Sequence, residues 1–261
     1  MGTQTLTELI FVGISAAIFA AAVVFVLLGH HYESHRRFHS DVPVAGAATI
    51  ETAAFGLLGL LLAFSFAGAE SRLQSRRELI VREVDAIGTA YLRIDLLPAA
   101  DRPHLKRLFR DYVDARVSYY HNLLDLPVAR AARARSESLQ QRIWTEAVPA
   151  AARAPDMRAT LIVVPALNEM FDVTMAREGS LWMHIPLAIF VLLAALMFAC
   201  AFLAGMGMAG PNHLSYLHLF MFAGTMALTA YVILNLEFPR LGFVRLEWLD
   251  QFLVQLRSTM T

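Results

Sequence analysis

The sequence predicts an all-α integral membrane protein: four transmembrane helices, with a helical cytosolic bundle inserted between the second and third. Three observations predict it. Hydrophobic residues make up 57% of the 261 and charged residues only 17%, and the mean hydropathy is +0.51, well above the usual soluble range. Four apolar runs, Leu9–Leu28, Val44–Ala69, Leu181–Ala209 and Leu214–Leu236, are each long enough to cross about 30 Å of hydrocarbon. No strand-like alternation persists between them, while helical spacing recurs.

These runs divide the chain into residues 1–69 (first and second spans), 70–180 (cytosolic bundle), 181–236 (third and fourth spans) and 237–261 (a turn and a terminal amphipathic helix). The first run lacks a basic n-region and a small-x-small cleavage signal, so it reads as a span and not a signal peptide. Of the 22 basic residues, 17 lie between Glu70 and Arg177. The positive-inside rule then places the bundle and both termini in the cytoplasm. Net charge is zero, which gives no reason to expect a nucleic-acid partner. The lone cysteine, Cys200, rules out an intrachain disulfide and thiolate metal clusters.

The second span has no proline before Pro98 and passes into the amphipathic stretch SRLQSRRELIVREVDAIGTAYLRIDLL, so it reads as one helix running from membrane into cytosol. Glu51, Phe55, Leu58, Leu62, Phe66 and Ala69 fall within an arc of about 80°, and Arg76 continues the same line. If copies of this helix surround an axis, Phe55, Leu58, Leu62 and Phe66 form an apolar neck that gates by dewetting. An intramembrane carboxylate such as Glu51 marks an ion path more often than chance. The competing reading is ordinary packing of bulky residues on other helices. A Glu51 ring favours cations and an Arg76 ring anions, so selectivity stays open. Gly59, Ala63 and Ala67 form a neighbouring small-residue stripe suited to close helix approach, and Leu57, Leu61 and Phe64 point the opposite way, as lipid-facing residues.

In the cytosolic half, Ile80, Val84, Ile87, Tyr91 and Ile94 are spaced 4, 3, 4, 3, a seam that serves either self-association or packing on the next helix. Turns at Leu97–Pro103 separate it from a helix through Leu105, Phe109, Tyr112 and Tyr119, which Pro127 is expected to close. A basic, Ala-rich helix then ends at Pro149, and a last bundle helix carries Leu161 to Met175 with a kink at Pro165. Asn168, Glu169 and Asp172 are candidates for a buried ion-pair network with Arg82 or Arg93. At the C-terminus, Leu249, Phe252, Leu253 and Leu256 share one face, with Asp250 and Arg257 off it, as suits a docked helix.

Three passages, REVDAIGTAYLRIDLLP (82–98), ALNEMFD (166–172) and NLEFPRLGFVRL (235–246), resemble the bestrophin-like domain family of bacterial membrane proteins, which is distantly similar to the bestrophins. The resemblance implies a homo-oligomeric channel, pentameric by analogy, passing inorganic ions through a pore lined by the second span. It carries the neck onto Phe55, Leu58, Leu62 and Phe66. It does not imply calcium gating, because no acidic clasp run is present and Glu237-Phe238-Pro239 matches only loosely. The alternative is a non-conducting anchor whose cytosolic bundle binds a partner protein.

The chain carries two further signals. His31, His35 and His39 stack at i, i+4, i+8, a spacing that holds a divalent ion or senses pH, though spacing alone is weak evidence and no metal or cofactor is expected. Ser65 and Ser215 have no histidine or lysine placed as a base, so no enzyme is expected. The expected partners are membrane lipid, ions and further copies of the chain.

Overall fold

The computed structural model describes residues 2–39, 46–209, 215–240, 243–244 and 246–260, with the side chains of 2–7, 39, 47 and 247 outside that set. Among the described residues the chain is helical: α1 (Gly2–His39), α2 (Ala47–Arg93), α3 (Arg102–His121), α4 (Leu126–Ala152), α5 (Arg158–Ser180), α6 (Leu187–Gly207), α7 (Tyr216–Glu237) and α8 (Glu247–Thr259), with a 3-10 turn at Ile94–Leu96. Two units form: Met1–Leu73 with His184–Val244, and Gln74–Met183 with Arg245–Thr261.

α2 is a single helix of 47 residues, a contour of about 70 Å at 1.5 Å per residue. Gly46, at φ +83°, starts it, and its carbonyl accepts the amides of Thr49 and Ile50. A side chain rarely adopts that conformation, which is why glycine stands there. Five helices are long and apolar enough to cross a membrane: α1, α2, α6, α7 and also α5. The sequence expected four, and α5 is the least apolar of the five. The third run also starts later than expected, because Pro186 caps α6 and leaves Leu181 to Ile185 in a turn.

In the first unit α1 packs on α6 and α7. Gly29 and Gly205 set the α1–α6 crossing. A Cβ on Gly29 would run into the carbonyl of Phe202, and one on Gly205 into that of Val26. Small residues let two backbones approach in this way. Ala22, Val26, Ala201, Leu219 and Ala223 fill the space around the crossing, and Phe25 stacks on Phe198 with centroids 5.1 Å apart.

The second unit closes on a conventional apolar core drawn from α2, α3, α4, α5 and α8, including Ile87, Phe109, Ile143, Leu167 and Leu253. Ile87, Tyr91 and Ile94 lie in that core with Val84 against it, and Ile80 is buried. The seam of α2 therefore finds its partners within its own chain, not in another copy. Pro127 opens α4 and does not close α3, since the Asp125 side chain accepts from the Val128 amide just ahead of it. Proline is well placed in a first turn, where its missing N–H goes unused. α4 also runs past Pro149 to Ala152.

Candidate functional site

The membrane half of α2 has two unlike faces. The face expected to surround an axis is committed to its own chain. Leu58 is 2% exposed and packs with Met197 and Cys200 of α6, while Phe55 and Leu62 lie against the same cluster. The Phe55 ring meets Phe222 of α7 edge-on, at 6.1 Å and 87°. Glu51 is half-buried, with its carboxylate 3.9 Å from where a Cβ on Gly207 would sit. Of the proposed neck only Phe66 stays exposed.

Arg76, in the second unit, is 5% exposed. It donates from Nε to the Ser180 carbonyl at 3.1 Å and from Nη2 to the Met183 carbonyl at 2.8 Å. Its fork holds the end of α5 and is not free to meet an ion.

The opposite face of α2 is open. Leu60 is 51% exposed and Phe64 64%, and Gly56, Ala63 and Ala67 are exposed beside them. Cβ atoms built on Gly56 or Gly59 meet nothing within 4 Å. The small-residue stripe of Gly59, Ala63 and Ala67 is exposed, and so is Phe64, which the sequence reads as lipid-facing.

Where α7 ends and α6 begins, Glu237 is fully buried. It accepts from Arg72 Nε at 2.9 Å and from the Ile185 amide at 2.8 Å, with His184 Nδ1 at 3.3 Å. The His184 ring stacks on Phe238 at 4.7 Å. Asn235 Oδ1 accepts the Phe243 amide at 2.5 Å. Asn235 thus holds Phe243, and Glu237 ties α2 and the start of α6 to the end of α7.

The second unit contains an ion cluster that the sequence did not reveal. Glu83 of α2 accepts from Arg116 of α3 at 2.8 Å and from Arg177 of α5 at 2.5 Å. Arg177 also pairs with Asp250 of α8, and Arg116 with Glu178. The Arg177 guanidinium lies 3.4 Å over the Tyr120 ring. Thr174 and Tyr112 extend the network, their hydroxyls 2.9 Å apart, and Gln140 of α4 donates to Tyr112 at 3.1 Å.

Burial opposes the charge on Arg116, but Glu83 and its neighbours outweigh that and hold the guanidinium well above its ordinary value. Burial and the Glu83 charge push the Tyr120 hydroxyl up, and burial pushes Tyr112 up to about 12. The signal was present in the sequence: Glu83 lies three residues after Ile80 and four before Ile87, so it shares their buried line. Asp250, expected off the apolar face of α8, is buried with Leu249 and Leu253.

The expected network of Asn168, Glu169 and Asp172 is corrected. Glu169 meets Arg82 at 3.2 Å, but both side chains are more than half exposed, and Arg93 donates to the Ile162 carbonyl instead. The His31 and His35 rings stack 6.3 Å apart, while the His39 side chain lies outside the described residues. Among the described residues, no group of three or more His, Cys, Asp or Glu could hold a metal ion. Ser215, expected to have no base beside it, lies with its hydroxyl 2.7 Å from His218 Nδ1, one turn into the exposed start of α7.

No family model matches the chain, and no curated protein does. Solved structures do. A single-substitution variant of a bacterial bestrophin homologue from Klebsiella pneumoniae superposes with a TM-score of 0.69 at 16% identity, covering 93% of this chain and 97% of its own. A second variant of that homologue gives 0.68 at 14% identity over 95% and 98%. The structure of the homologue phased on zinc gives 0.67 at 16% over 93% and 98%. The identities are low, but the match runs nearly end to end, so this all-helical, multi-pass membrane chain has the fold of the bacterial bestrophin homologues.

Proposed function

We propose that copies of this chain assemble symmetrically in a bacterial inner membrane and conduct ions passively along a central passage lined by α2. The observation that carries the reading is the open face of α2. Leu60 and Phe64 stand exposed one helical turn apart, bordered by Gly56, Ala63 and Ala67, which leave room for the same helix of a neighbouring copy. The fold supports the assembly, and five copies is the number that the bestrophin likeness suggests. On this reading Leu60 and Phe64 form the apolar constriction, and Phe66, on the other side of the helix, lies outside it. Phe55, Leu58 and Leu62 hold α2 in its own subunit, and Arg76 clasps the end of α5.

Four helices cross the membrane in this proposal, and both termini and the bundle are cytoplasmic. α5 stays out of the bilayer, because its buried side faces the bundle core and carries Arg177 into the ion cluster.

The test is ion flux through full-length protein in liposomes. Leu60→Ala and Phe64→Ala should each raise flux several-fold, while Leu62→Ala should lower stability with little change in flux per folded particle. Equal flux in wild type and both constriction variants would remove the proposed lining. No flux at all, from a monodisperse oligomer, would favour a membrane-anchored scaffold that binds a partner through its bundle.

A further inference from the structure

Between α4 and α5 the second unit carries an open groove of about 400 Å³, and we propose that it binds a small organic ammonium compound. Glu137, Gln140, Gln141 and Trp144 line it from α4, and Asn168 and Phe171 from α5. The α4 residues recur at i, i+3, i+4 and i+7 and the α5 pair at i and i+3, so each set shares one helix face. Trp144 and Phe171 rest against the apolar core. Their ring centroids lie 6.3 Å apart with the planes at 56°, which makes a two-walled aromatic corner.

The chemistry of the lining selects the ligand. No lysine, arginine or histidine borders the groove, so no lining charge repels a cation. An ammonium group is attracted to an aromatic face within about 6 Å of the ring centre, and aromatic surroundings hold quaternary ammonium ligands in this way. Acceptor oxygens complete the setting. Gln140 spends its Nε2 on the Tyr112 hydroxyl at 3.1 Å, which fixes the amide and leaves its carbonyl oxygen as an acceptor. Glu137 pairs with Arg133 through Oε1 at 3.0 Å, but Arg133 is shared with Glu178 at the same distance, so the Glu137 charge is only partly neutralised. The side-chain amides of Gln141 and Asn168 have no partner among the described residues, and they can bond a hydroxyl or carbonyl on the rest of the ligand. Asn168, which makes no ion-pair network, thereby gains a use. A metal ion fits worse, since it needs more oxygen ligands than one carboxylate supplies and leaves both rings idle. The site stands whether or not the protein conducts.

The test is tryptophan fluorescence of the full-length protein in detergent, carrying Trp182→Phe and Trp248→Phe. Those two rings are exposed, and their replacement leaves Trp144 as the sole tryptophan of three. Choline, ethanolamine and dimethylbutanol (the uncharged carbon analogue of choline) are titrated at constant ionic strength. At least one of the two amines should change the Trp144 emission saturably, with a Kd on the order of 1 mM or tighter. Preference for choline would mark a methylated headgroup, and preference for ethanolamine a primary amine. Phe171→Leu should weaken binding roughly five-fold and Glu137→Gln about three-fold. No saturable change with either amine would overturn the proposal, and this arm needs no variant of the groove. An equal response to dimethylbutanol would overturn the ammonium assignment. Undiminished binding in well-folded Phe171→Leu and Glu137→Gln would overturn the site.

Discussion

The two units hold their helices together by different means. In the first, α1 and α6 meet backbone to backbone at Gly29 and Gly205, the buried Ser65 bonds to its own helix at the Leu61 carbonyl, and the buried carboxylates Glu33 and Glu237 sit near helix ends. In the second, a broad apolar core surrounds Glu83, Arg116, Arg177 and Asp250, all fully or nearly fully buried. On the proposed topology the difference follows the solvent around each unit. Between helices in hydrocarbon, burying leucine gains nothing over leaving it in lipid, so close approach and van der Waals contact must bind them. In water an apolar core forms on its own account, and the buried ions then select which helices meet and in what register, because a misplaced partner leaves a charge bare.

The largest expected effect breaks the ionic side of this contrast. Glu83→Gln leaves Arg116 and Arg177 without their shared carboxylate and should cost about 3–5 kcal/mol, read as loss of unfolding free energy of the full chain in detergent. Ser65→Ala, in the first unit, should cost less than about 1 kcal/mol, since its hydroxyl only back-bonds one turn. A small loss for Glu83→Gln would mean that the cluster is not what holds α2, α3 and α5 together.

Next comes the glycine crossing. Gly205→Leu forces α1 and α6 apart and should cost on the order of 3 kcal/mol, visible as loss of the monodisperse peak in size-exclusion chromatography. Gly59→Leu meets open space, so the subunit should fold, while the proposed close approach between copies is disturbed and the oligomer changes size. Equal damage from both substitutions would show that the α1–α6 crossing is not special.

A smaller effect sharpens the account of the cluster's edge. Tyr112→Phe removes a hydroxyl bonded to Thr174 and Gln140 and should cost about 1 kcal/mol at neutral pH. Tyr112 also carries a pH signature. Its hydroxyl titrates near 10.0 in an unfolded chain and at about 12 when buried. The folded state therefore keeps a proton that the unfolded state has lost, and this contribution is complete below pH 10 and disappears as pH rises to 12. Alkaline unfolding curves should be shallower over that window in Tyr112→Phe than in wild type.

The smallest effect is at the surface. Arg82→Ala breaks only the exposed pair with Glu169 and should change stability by less than about 1 kcal/mol. A larger loss would mean that the second unit relies on its surface charges as well as its buried ones.

The sequence resolved these regions unequally. The seam of Ile80, Ile87 and Ile94 was legible, because in water the buried face of a helix is the apolar one. Glu83 was not legible as a buried charge, because a carboxylate is ordinarily solvated and only Arg116 on α3 and Arg177 on α5 make its burial tolerable. Pro127 was misplaced because the same residue that breaks a helix interior opens a first turn, and only the cap at Asp125 distinguishes the two.

By itself the sequence determined the helical class, four of the five helices long and apolar enough to cross a membrane, the unbroken course of α2, and the bestrophin resemblance. All of these depend on length, composition and local chemistry. The tertiary structure alone decided which face of α2 is spoken for. In the bilayer, lipid and protein interior are equally apolar, so a leucine facing α6 and a leucine facing outward read the same along the chain. Only the positions of α6 and α7 show that Leu58 is packed and that Leu60 and Phe64 are free.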